Sequence, residues 1–137
     1  MKVSTTYLGD MRFSSGDGDS KVVMDAAKEI GGRGEALTPK MMVLQGLVGC
    51  TGMDVAAILT RKKVPFEGLR IDAEAEQTKG HPKVFESIAL TYRIKASEED
   101  RKHVERAIKL SQENFCGVSE MLRKSATMTW SLELEPL

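Results

Sequence analysis

The chain has 137 residues, 41% of them hydrophobic, and its 20 lysines and arginines are balanced by 20 aspartates and glutamates. That is one domain's length, and the even charge offers neither a basic surface for nucleic acid nor an acidic tail. Two cysteines exclude a disulfide scaffold and a four-cysteine zinc site, which leaves a soluble cytoplasmic domain with reduced thiols as the expectation.

The start, MKVSTTYLGD, lacks the apolar run of a secretory signal. In VSTTYL, Val3, Thr5 and Tyr7 share one face, the period of a strand. Phe13 precedes the turn-rich SSGDGDS and KVVMD returns, so a hairpin is expected. Residues 26–37, AAKEIGGRGEAL, surround Arg33 with glycines and predict a mobile surface loop.

A helix follows from about residue 39 to 63. Thr38 caps it, Pro39 occupies its first position, and Arg61, Lys62 and Lys63 close it before Pro65. Apolar residues lie on nearly all its sides, which predicts burial on most faces. The apolar tract 41–59 is broken by Gln45, three glycines and Asp54, which argues against a membrane span. Two alternating strands are then expected, with Leu69, Ile71, Ala73 and Ala75 on one face and Ile88, Leu90, Tyr92 and Ile94 on another. TKGHPK connects them. Ser97 and SEED start an amphipathic helix bearing Val104, Ala107, Ile108 and Ser111. NFCGVSEML breaks it and begins a shorter helix, and Met128, Trp130, Leu132 and Leu134 alternate in a closing strand.

This order predicts an α+β fold, a single domain over 1–137, with an antiparallel-dominated sheet packed on a long buried central helix. A helix so apolar needs more cover than one small chain supplies, and a homodimer would complete it.

Within LVGCTGMDVAAIL, Cys50 shares a helical face with Gly46 and Met53. Either it is an inert packing cysteine, or the small neighbours let a reactant reach its sulfur. Cys116, at the break in NFCGVSEML, lies near the start of the short helix, where backbone N–H groups favour thiolate. Such a pair suits a peroxidatic and a resolving thiol. Arg12 in DMRF is the first candidate cation for the thiolate, and Arg33 in GGRG is its rival. Lys40 reads as a solvated helix-end residue, His81 as a turn residue and His103 as one of a charged helix face. Asp54 either pairs with a cation or marks an exposed edge. No phosphate-binding, dinucleotide or HExxH motif occurs, and the pattern points to no metal and no bound cofactor.

LTPKMMVLQGLVGCTGMDVAAIL resembles the central-helix signature of the OsmC/Ohr family of thiol peroxidases, and FCGVSEML resembles its second cysteine signature. HPKVFESIALTYRI, GD-x-RF and the closing strand also fit, so the resemblance runs along essentially the whole chain, closer to the broader OsmC-like branch. It implies an intertwined homodimer, Cys50 as the peroxidatic thiolate, Cys116 as the resolving thiol and Arg12 as the stabilising arginine. The implied substrate is an organic hydroperoxide and the implied reductant a small dithiol, lipoyl-type in some members. One departure stands out: Lys40 replaces the glutamate that family peroxidases pair with the arginine, so that pair cannot form here. The alternative is a non-catalytic small-molecule-binding or redox-sensing dimeric module of the same fold.

Overall fold

Strand alternation near the start yields three strands rather than a hairpin: β1 (Ser4–Gly9), β2 (Arg12–Asp17) and β3 (Ser20–Met24), each antiparallel to the next. Asp10 and Met11 join the first two with φ of 52° and 56°, the positive pair of a type I′ turn. SSGD continues β2 instead of turning, and the reversal falls on Gly18 and Asp19. Ser14, Ser15 and Gly16 offer no apolar side chain, which hides the strand from a hydrophobic pattern.

These strands belong to the first of two compact units, Met1–Gln45 and Gly46–Leu137, in the computed structural model, which describes residues 1–137. The first unit also holds the 26–37 segment, which is a tied loop, not the mobile one expected. Asp25 is buried, and its carboxylate accepts the backbone N–H groups of Arg33 (3.1 Å) and Glu35 (3.0 Å). A short 3-10 turn spans Lys28–Ile30, and a Cβ on Gly32 would run into the Ala26 carbonyl. The glycines there permit close backbone approach, and a buried acid organises them.

Helix α1 (Pro39–Arg61) begins in the first unit, where the Thr38 hydroxyl accepts the Met41 N–H, and runs on into the second. It ends two residues before the expected Lys63, which instead takes a left-handed φ of 57°. Val64 N–H reaches the Leu59 carbonyl and Lys63 N–H that of Thr60, a Schellman closure. Burial along α1 is confined to one stripe, Leu47, Thr51, Val55 and Leu59, while Met53 is 76% exposed. Within one chain the helix is thus not buried on most faces. It is also long and apolar enough to cross a membrane by length and composition, so the interruptions in 41–59 do not by themselves exclude a span.

In the second unit β4 (Glu67–Gln77) pairs antiparallel with β5 (Phe85–Lys95), which pairs in parallel with β6 (Thr127–Glu135). Ile71, Ala73 and Ala75 stand opposite Tyr92, Leu90 and Ile88, and Met128, Trp130, Leu132 and Leu134 flank the same row, so the expected faces coincide. On the other face Arg93 bridges Asp72 and Glu133. The parallel pairing needs a long crossover. Ser97, α2 (Arg101–Leu110) and α3 (Gly117–Arg123) supply it; the Ser97 hydroxyl accepts the Glu99 N–H. Val104, Ala107 and Ile108 of α2 are buried at helical spacing, together with Ile88, Leu90, Tyr92 and Ile94 of β5. Each large aliphatic side chain buried this way contributes about 1.5–3 kcal/mol. The class is α+β, and the strands form two three-stranded sheets with three of four pairings antiparallel.

Candidate active site

One turn of α1 carries Cys50, Thr51 and Asp54. Thr51 faces the core and is fully buried, while Cys50 and Asp54, four residues apart on adjoining rows, are half-buried. The neighbouring glycines divide their work. A Cβ on Gly46 or Gly49 would meet nothing within 4 Å, so the helix surface beside Cys50 is thin and open. A Cβ on Gly52 would lie 3.3 Å from Ile71 Cδ1, so that glycine serves packing against β4.

Cys116 arrives from the other side of the crossover. After α2 the chain widens into a π-type turn, Ser111–Phe115, closed by Cys116 N–H on the Ser111 carbonyl at 2.8 Å. Such bulges are frequent at functional sites because they swing one side chain out of helical register. Cys116 then caps α3, as the sequence predicts for a thiol near the start of the short helix. Its Sγ accepts the Ser119 N–H at 3.4 Å, and the residue is 3% exposed. A cavity of about 260 Å³ borders it, lined by Gln112, Phe115 and Glu120 among others.

The result is a three-membered cluster. The sulfurs of Cys50 and Cys116 and a carboxylate oxygen of Asp54 all lie within 4.8 Å of one another, and both thiols are free. Neither a cation partner nor a bare exposed edge describes Asp54, whose Oδ2 accepts the Ser111 hydroxyl at 2.9 Å.

Behind the cluster lies a buried polar network that sequence reading did not anticipate. Thr51 Oγ1 is 2.7 Å from both Tyr92 Oη and Ser111 Oγ, and Gln112 Nε2 donates to Thr51 Oγ1 (3.1 Å) and Tyr92 Oη (2.9 Å). Because Ser111 spends its one proton on the Asp54 carboxylate, the other protons are assigned in turn. Thr51 donates to Ser111, Tyr92 donates to Thr51, and the Gln112 amide feeds both. The donors of this side-chain network thus point one way, toward the aspartate beside the thiols. Separately, the backbone carbonyl of Gln112 accepts from Arg123 at 2.6 Å. The available signals were the four-residue spacing of Cys50 and Asp54 and the polar Ser111 on the apolar face of α2.

Electrostatics in this cluster favour the thiol. Burial pushes Cys50 upward from the ordinary thiol value, and the contact with Cys116 adds to it. The Val118 backbone N–H opposes the rise, and the charges on Cys116 and Asp54 reinforce it. Burial also raises the Tyr92 phenol, which therefore serves as a proton donor.

Arg12 lies in the first unit, where its Nε stands 3.9 Å from Asp25 Oδ2 and is buried without a hydrogen-bond partner. Arg33 holds Asp10 on that unit's surface, through Nε at 3.2 Å and Nη2 at 2.9 Å. Lys40 occupies the first turn of α1, and His81 and His103 are exposed.

The OsmC-like protein family model matches residues 32–131. Protein YhfA of Escherichia coli K12 is 30% identical over 130 residues, covering 94% of this chain and 90% of YhfA. Among solved structures, a hypothetical protein of Aquifex aeolicus is 25% identical with a TM-score of 0.80, covering 98% of this chain and 96% of that one. An organic hydroperoxide resistance protein OsmC of Legionella pneumophila, 17% identical, has a TM-score of 0.69 over 96% of this chain and 95% of its own.

Proposed function

The chain belongs to the OsmC-like protein family, and from that premise we propose that it is a thiol-dependent peroxidase, reducing organic hydroperoxides to alcohols in oxidative-stress defence. The observation that carries this reading is the approach of Cys50 and Cys116, remote in sequence, to within 4.8 Å. The substrate class is taken from the description of the Legionella protein.

In this reading the Cys50 thiolate attacks the terminal peroxide oxygen. The O–O bond breaks, the alkoxide leaves and takes a proton as the alcohol, and Cys50 becomes a sulfenic acid. Cys116 displaces the sulfenic hydroxyl as water and forms the Cys50–Cys116 disulfide, which a small dithiol of lipoyl type then reduces by exchange. Asp54 and its hydrogen-bond chain hold the cluster, and the α3 N–H groups offset negative charge on sulfur. Arg12 is proposed as the cation that favours the Cys50 thiolate. The apolar residues that α1 leaves exposed, Met53 above all, support a homodimer. Residues 1–137 form the functional domain, and its place of action is the cytoplasm.

The raised Cys50 pKa favours a second reading, a redox sensor that forms the disulfide yet turns over slowly. Turnover of cumene hydroperoxide with dihydrolipoamide, followed beside the Cys50→Ser variant, separates the two. The peroxidase reading expects a fall of at least ~100-fold in the variant. Wild-type activity no better than the variant's would remove it, and an intramolecular disulfide without turnover, seen by mass spectrometry, would leave the sensor.

A further inference from the structure

Cys50, Asp54 and Cys116 offer two thiols and a carboxylate to a common point, their donor atoms within 4.8 Å of one another. We propose that the reduced protein binds one thiophilic divalent cation, Zn²⁺ by its chemistry, through these three side chains. The inference stands independently of peroxidase activity.

The donor set selects the metal. Two sulfurs favour zinc over the hard cations magnesium and calcium, which take oxygen ligands. Sulfurs bound to one zinc at about 2.3 Å in tetrahedral geometry sit about 3.8 Å apart, which agrees with donor atoms that lie within 4.8 Å of one another. Two local devices hold the three ligands. Cys50 and Asp54 share one turn of α1, and Cys116 is fixed by the π-type turn and by the Ser119 N–H on its sulfur. Around the ligands stands the kind of support that metal sites need. The Ser111 hydroxyl orients the Asp54 carboxylate through Oδ2, and Ser111 is itself locked by Thr51, so the carboxylate does not have to be ordered when the ion enters. Three protein ligands leave a fourth tetrahedral position for water, the open arrangement of non-structural zinc sites.

Binding balances simply. Two thiols lose their protons to solvent as both sulfurs bond the ion, the Asp54 carboxylate supplies the third donor, and no electron moves. The outcome is a reversible block: a thiolate bound to zinc is not free to attack an oxidant, and a disulfide between the same sulfurs cannot hold the metal. Metal and oxidant therefore compete for one pair of sulfurs.

The test is an anaerobic titration of the reduced, metal-stripped protein with Co²⁺, followed by displacement with Zn²⁺ in competition with a chromophoric chelator. One equivalent is expected, with sulfur-to-cobalt charge-transfer absorption and the visible bands of a tetrahedral ion. Cys50→Ser and Cys116→Ser should abolish the charge-transfer absorption or halve it, and Asp54→Asn should weaken binding at least ~10-fold. The wild-type protein oxidised to its disulfide should bind nothing, a control that needs no substitution to fold. Absence of charge-transfer absorption, its persistence undiminished in both cysteine variants, or unchanged affinity in Asp54→Asn would each overturn the site. Hydroperoxide turnover of the metal-free protein is measured separately. Cobalt binding without turnover would sink only the peroxidase reading, and turnover without cobalt binding only this one.

Discussion

Cys50 meets opposing demands. The proposed peroxide chemistry would require its thiolate, while burial, Cys116 and the Asp54 carboxylate all hold the proton on sulfur. Below its raised pKa the residue is a thiol, so its alkylation rate should climb with pH and keep climbing above about 8.5, where an ordinary thiol levels off. Asp54→Asn removes one of the opposing charges, the smallest of the named influences. Iodoacetamide labelling of Cys50 at neutral pH, quantified by mass spectrometry, should therefore rise about three-fold in that variant. A slower or unchanged rate would mean that the carboxylate does not act on the thiol. In sequence, Asp54 was visible only as an acid in apolar company. What gives it a role is the hydroxyl of Ser111, a residue from another helix, and no local pattern predicts that pairing.

Helix α1 and the turn after α2 are joined by hydrogen bonds between Thr51 and Asp54 on one side and Ser111 and Gln112 on the other. Thr51 is the hinge of that contact, since it partners Tyr92, Ser111 and Gln112 at once. Thr51→Val keeps the shape and deletes the hydroxyl, leaving buried polar groups on three residues short of a partner. The expected cost is about 2–3 kcal/mol in urea unfolding, with a lower midpoint and an unchanged slope. A loss under about 0.5 kcal/mol would show that the network relaxes freely. Much at this level was legible beforehand: the Thr38–Pro39 start of α1, the shared faces of β4, β5 and β6, and the cap at Ser97 all follow from local chemistry. The middle N-terminal strand, β2, was not, because Ser14, Ser15 and Gly16 carry no hydrophobic alternation. The order of the 26–37 loop was not either, because it hangs on Asp25, an acid whose burial the sequence does not announce.

The apolar character of α1 exceeds what one chain covers, which leaves Met53 at 76% exposure on a helix otherwise suited to a core. The proposed homodimer would bury that face, and Met53→Glu should oppose it by putting a charge where apolar surface would be removed from water. Light scattering behind size exclusion should give twice the 15.1 kDa chain mass for the wild type and a shift toward the monomer for the variant. A monomeric wild type would remove the dimer from the proposal. What the sequence by itself determined was the α+β class, the element order from α1 onward and the two thiols in their distinctive settings, since periodicity, caps and small neighbours are encoded within a few residues. Only the tertiary structure decided that those thiols meet, that Asp54 joins them and that a one-way chain of hydroxyls stands behind. Contacts between residues sixty positions apart depend on how helix and turn pack, and packing is a property of the assembled chain.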